Sequence, residues 1–278
     1  MPDYQYLLRL WSLPPAVTFG CELLAIVYLR GWWLLRQAHV PFVPAWRAVA
    51  FFSGLLTTWI ALASPIDALN ATVLTAHMLQ HMLLMMVAPP LILLGAPLVP
   101  ILCALSSMGL RRAARISTWP SANRVGHALT NPVTGGLALG LVMFAWHTPV
   151  LYELALRSEF CHELEHASFF LAALMFWWPI VLPWPSRGQW PRWAMVPYLL
   201  VADLQNTVLS AILAFSDRVL YPSYAKAPRL LPLSPLDDQI AAGAFMWVVG
   251  SLAFIVPAIA LAVQCLSTGS TRHPVPVA

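Results

Sequence analysis

Two histidines four residues apart, His77 and His81, sit in an otherwise apolar stretch from Asn70 to Pro90, together with Gln80 and the methionines Met78, Met82, Met85 and Met86. An α-helix turns once in 3.6 residues, so both imidazoles fall on one face; Met85 continues that row, and Met78, Met82 and Met86 form the next. Imidazole and thioether together suit a soft or borderline ion, above all copper, as a ladder of ligands. Magnesium or calcium would need oxygen ligands that the stretch lacks. A plainer use is open to the same residues: methionine fills gaps between helices, and histidine can hydrogen-bond across a helix interface. Paired imidazoles on one face of a lipid-embedded helix are the harder feature to explain as packing, because polar groups inside a span are costly.

A second dense stretch is Cys161-His162-Glu163-Leu164-Glu165-His166. His162 and His166 repeat the four-residue spacing, and the string also fits H-E-x-x-H, in which two histidines hold zinc and the glutamate acts as general base, as well as the inverted version, H-x-x-E-H. No third ligand is evident downstream, and an acid-rich helix start is also what the helix dipole favours. Cys161 stands out among the cysteines only by adjoining this pair. Cys21, Cys103 and Cys265 read as small buried apolar residues, and no spacing pairs the four. Two further polar groups join the candidates. Asp203, followed by Gln205 and Asn206, lies within an apolar segment and must face a bundle interior. Asp237 and Asp238 open the last apolar segment, as helix caps or as cation-attracting groups, with Met246 nearly two turns further on.

The elements that must position these groups are membrane helices. The 278 residues are 60% hydrophobic and 9% charged, against about 25% charged in a soluble domain. Seven spans are predicted, at approximately 16–36, 45–63, 70–90 with a kinked continuation to 105, 131–147, 163–182, 193–215 and 239–265. This is an all-α, single-domain polytopic bundle in the lipid bilayer. Pro89, Pro90, Pro97 and Pro100 argue that 91–105 is a broken helix or interfacial segment, not a separate crossing. Nothing between Met1 and Pro15 reads as a cleavable signal.

Charge orients the bundle. The loops holding Arg30, Arg36 and Arg47, then Arg111, Arg112, Arg115 and Arg124, then Arg187 and Arg192, and the tail with Arg272, fall on one side, which positive-inside bias makes cytoplasmic. The N-terminus is then outside and the C-terminus inside. The formal charge of +4 reports this topology and not nucleic-acid binding. Asp3, Asp67, Glu153, Glu159, Glu163, Glu165, Asp217, Asp237 and Asp238 all fall outside, an arrangement suited to attracting a cation. On this reading His77 lies about two turns below the outer end of its span, on the order of 10 Å deep, and His81 one turn deeper. His147 closes the fourth span on the same side, where His162 and His166 open the fifth. His39, His127 and His273 are ordinary surface residues.

The run Ser64-Pro65-Ile66-Asp67, the stretch Ala76 to Leu91 and Gly95-Ala96-Pro97 resemble the signature of the bacterial CtaG family of integral membrane proteins. The resemblance continues through His147-Thr148-Pro149, His162 to Pro179, and Asp237 to Trp247. It implies a seven-helix protein of the bacterial inner membrane that aids assembly of caa3-type cytochrome c oxidase, with oxidase subunits as partners and copper handling as its contribution. The leading expectation is therefore a non-enzymatic factor that binds copper, as Cu(I), on its outer side. Primary ligands are His77, His81, His162 and His166, with Met78, Met82 and Met85 as softer ligands. Glu165, Asp237, Asp238, Met246, His147, Asp203 and Cys161 are accessory. The rivals are a zinc-dependent intramembrane hydrolase built on residues 162–166, a haem-binding redox protein, and a copper or proton transporter lined by His77, His81 and Asp203.

Overall fold

The computed structural model describes residues 10–40, 43–105, 120–183, 185–186, 188–230 and 232–270. Asp3, Arg9, Arg111, Arg112, Arg115, Arg187, Arg272 and His273 lie outside the described residues. Among the described residues there are helices and turns and no strand. The helices are α1 (Pro15–Gln37), α2 (Ala45–Ala63), α3 (Pro65–Leu69), α4 (Leu74–Met82), a π-helical turn (Leu83–Val87), α5 (Ala88–Leu94) and α6 (Leu98–Leu105). They continue with α7 (Pro120–Leu129), α8 (Pro132–Trp146), α9 (Pro149–Arg157), α10 (Glu159–Val181), α11 (Met195–Ala214), α12 (Pro222–Lys226) and α13 (Pro235–Ser270). Pro15, Pro65, Pro132, Pro149, Pro222 and Pro235 each open a helix. A first-turn proline loses no hydrogen bond, since its missing N–H has no helical partner there.

Six of the described segments are long and apolar enough to cross a bilayer: Pro15–Gln37, Ala45–Leu69, Leu74–Leu94, Glu159–Val181, Arg192–Ala214 and Pro235–Ser267. The chain is a multi-pass membrane protein. A seventh span results if α8 and α9 count as one, but they meet at a bend of 76°. The fourth expected span is thus a 15-residue helix, about 22 Å at 1.5 Å per residue, that turns sharply after His147-Thr148. The segment after Leu94 breaks at Gly95-Ala96-Pro97, where Ala96 has φ 47°. The eight residues of α6 then pack back on α1. That approach is close: a Cβ on Gly31 would lie 1.7 Å from the Pro100 carbonyl oxygen.

α4 and α10 are the two helices that carry the histidine pairs, and α13 lies against the first of them. α4 begins at Leu74, so His77 stands one turn from its start, not the two turns expected from a span beginning at Asn70. Val73 offers no side-chain cap. The cap comes from 164 residues away: Asp238 of α13 accepts the Leu74 N–H at 2.7 Å, the Thr75 N–H at 3.2 Å and the Thr75 hydroxyl at 2.7 Å. Its neighbour Asp237 caps α13 locally, exchanging bonds with Ser234.

The π turn after α4 breaks the row of His77, His81 and Met85. Pro89 and Pro90 have no N–H, so the Met85 carbonyl cannot be paired within its own helix. The Trp177 indole on α10 donates to it instead, at 2.9 Å. Met82, Met85 and Met86 then pack in the main core with Phe169, Phe176 and Trp177, while Met78 packs in a second cluster with Tyr152, Tyr221, Tyr224 and Met246. Removing the donor with Trp177→Phe is expected to cost about 1–2 kcal/mol, read as a lower melting temperature in detergent; an unchanged melt would mean that carbonyl has another partner.

Candidate metal centre

His77, His81 and Glu165 each place one ligand atom within 4.8 Å of the others, and all three are buried. The two Nε2 atoms are 3.0 Å apart. Glu165 sets Oε2 3.7 Å from His77 Nε2 and Oε1 3.7 Å from His81 Nε2. Four-coordinate ligands at metal bonds of about 2.0 Å lie about 3.3 Å apart, and the observed separations straddle that value. Glu165 is 0% exposed, and neither of its oxygens has a hydrogen-bond partner. A buried carboxylate with no protein donor is strongly unfavourable unless a cation or a proton neutralises it.

Helical periodicity delivers Glu165. On α10, His162, Glu165, His166 and Phe169 follow the i, i+3, i+4, i+7 pattern of one face. Glu163 is exposed on another. The glutamate that H-E-x-x-H requires, Glu163, therefore points away from the histidines, and the carboxylate that meets the imidazoles is Glu165, the glutamate of the inverted string, which the sequence reading had given only an accessory place.

The two histidine pairs do converge. The His77 ring lies 5.5 Å from that of His162 and 6.4 Å from that of His166, and His81 lies 5.5 Å from His166. Tyr224 fixes the tautomer of His77. Its hydroxyl donates to the Asn70 carbonyl at 2.7 Å, so its oxygen is left to accept from His77 Nδ1–H at 3.2 Å. Burial, with the repulsion of Glu165 and Asp238, holds the Tyr224 hydroxyl well above the ordinary phenol range, so it stays protonated. With Nδ1 engaged by Tyr224, His77 turns Nε2 toward His81 and Glu165, the arrangement typical of metal-bound histidine. His81 Nδ1 and His166 Nε2 are buried without partners.

The remaining candidates are placed as follows. His147 donates from Nδ1 to the Met143 carbonyl at 2.7 Å and leaves Nε2 buried and unpaired. Asp237 and Asp238 are occupied as helix caps. Asp203 lies on α11 with Oδ1 buried and unpaired, outside the group of three donors. Cys161 is a half-buried free thiol, and Met246 serves the second apolar cluster while its carbonyl accepts from Asn206 at 3.2 Å. The sequence reading missed Tyr152, Tyr221 and Tyr224, because α9 and the short α12 approach the site only in three dimensions. A polar brace also escaped it. Gln80 donates to Asp67 Oδ1 at 2.7 Å and to the Ala61 carbonyl at 2.9 Å, tying α4 to α2 and α3.

The family model of the cytochrome c oxidase caa3 assembly factor (Caa3_CtaG) matches residues 26–268. An uncharacterized protein of Mycobacterium leprae is 25% identical over 268 residues, and one of Mycobacterium bovis is 24% identical over 273, in each case over 95% of this chain. The chain spans 40% of the length of these curated relatives. No solved structure matches.

Proposed function

Because the chain belongs to the cytochrome c oxidase caa3 assembly-factor family, we propose that it serves oxidase maturation by holding a copper ion at His77, His81 and Glu165 and passing it to an oxidase subunit. The observation that carries this reading is the buried triad: two imidazoles and a carboxylate within 4.8 Å, the carboxylate without a hydrogen-bond partner. His166, with its unpaired Nε2, is the natural fourth ligand. The methionines take a reduced part, filling the surrounding space with polarisable side chains. The site lies toward the end of the bundle where α4, α10 and α13 begin, and basic-residue bias assigns that end to the outer face of the inner membrane.

Zinc is the second reading, since two histidines and a glutamate also suit that ion. A haem iron bound by His77 and His81 would need their nitrogens about 4 Å apart on opposite sides, and they are 3.0 Å apart. The test is metal content by mass spectrometry, on protein purified in detergent under reducing, anaerobic conditions, for wild type beside His77→Ala/His81→Ala. Near-stoichiometric copper in the wild type, absent from the double variant, is the expected result. Zinc in its place supports the second reading, and an apo protein that refuses added copper sinks the first.

A further inference from the structure

A buried site needs a way in. Beside the histidines, a pocket of about 340 Å³ is lined by Asp67, Asn70, Leu156, Arg157, Glu159 and His162. His162 is the one imidazole that belongs to both places. It lines this pocket, yet its ring lies 5.5 Å from His77 and 4.1 Å from His166. We propose that the pocket is the port through which the metal ion enters and leaves, with His162 as the transfer ligand that hands it between the mouth and the triad. This rests on the reading of His77, His81 and Glu165 as a metal site.

The mouth has the right charge for a cation. Asp67 and Glu159 supply two carboxylates, and the one basic group in the lining, Arg157, is held by Glu153 at 3.0 Å. His162 is also latched loosely. Asn70 Nδ2 lies 3.3 Å from each of three acceptors: Asp67 Oδ1, Gln80 Oε1 and His162 Nε2. An amide nitrogen has two hydrogens, so it cannot satisfy all three together, and Asp67 Oδ1 already receives the shorter bond from Gln80, 2.7 Å. When an ion takes the lone pair of His162, the amide turns its proton to Asp67 and no donor is left stranded. The exchange is one of ligands only: a copper–imidazole bond at His162 forms as the incoming carrier's bond breaks, then is replaced by bonds to His77 and His81, with no change of charge on the metal.

The test is a time course on the full-length protein in detergent. Cu(I) is added as a weak complex, its uptake is followed, and its release to a coloured Cu(I) chelator is then timed. His162→Ala is expected to bind the same amount at equilibrium but to load and release at least about tenfold more slowly. Glu159→Lys, at an exposed position on the helix start, slows loading several-fold at low salt, and the effect shrinks as salt screens it. Full uptake with unchanged rates in both variants overturns the port while leaving the triad. Loss of equilibrium copper in His162→Ala makes that residue a resting ligand and also overturns the port. No uptake by wild type overturns the buried site, and the port with it.

Discussion

Glu165→Gln protein is expected to bind copper at least about 100-fold more weakly than wild type and yet, free of metal, to melt at a higher temperature. Removing groups that only orient a ligand typically costs 10–100-fold in affinity, and Glu165 is placed to be a ligand itself. The stability change has the opposite sign because the wild-type carboxylate is fully buried with no donor. A neutral amide of the same shape has neither a charge to desolvate nor a proton to take up, and its single NH2 can donate to the imidazole nitrogen on its side. The gain is about 1–3 kcal/mol in the metal-free protein. Thermal melts with and without Cu(I) read both effects at once, since a bound ion raises the wild-type melt in proportion to the logarithm of its concentration. A variant that melts lower than wild type without metal, and is still stabilised by copper, would remove Glu165 from the site.

The second large effect separates two adjacent aspartates. Asp238→Ala should destabilise the protein by about 3 kcal/mol or more, because it strands two N–H groups and a hydroxyl at the start of α4 and each charge-assisted bond contributes about 1.5–3 kcal/mol. Asp237→Ala removes only a local cap, costing about 1 kcal/mol. Copper content should follow the same order, because α4 carries two of the three proposed ligands. Equal losses in the two variants, in melting temperature or in metal, would mean the cap on α4 is not what sets the triad.

Much of this site was legible as spacing. The pairs His77/His81 and His162/His166 stand out because imidazoles are rare in apolar helices, and their four-residue repeat survives in the fold. Glu165 was legible too, since it shares a face with His162 and His166 and is the glutamate of the inverted H-x-x-E-H string, whereas H-E-x-x-H points to Glu163, one residue from His162 and off that face. Family resemblance pointed to an oxidase assembly factor, and the chain's membership agrees. The π turn left no trace in composition; only Pro89 and Pro90 hint at carbonyls without helical partners. The tyrosines and the Asp238 cap depend on how distant segments pack, which no local period encodes. The expected row ending at Met85 failed for that reason: one wider turn takes the methionine out of register and into the apolar core.

The Asp238 bonds to Leu74 and Thr75 also set a clock. Ribosomes add about 5–20 residues per second, so the histidine helix waits roughly 8–33 s for the aspartate that completes its first turn. During that interval His77 and His81 are already synthesised and Glu165 follows about midway, but the helix that aims the first two lacks its cap. On the proposed reading, competence to hold an ion therefore waits for α13, and a chain stalled before that helix carries the histidines without the geometry.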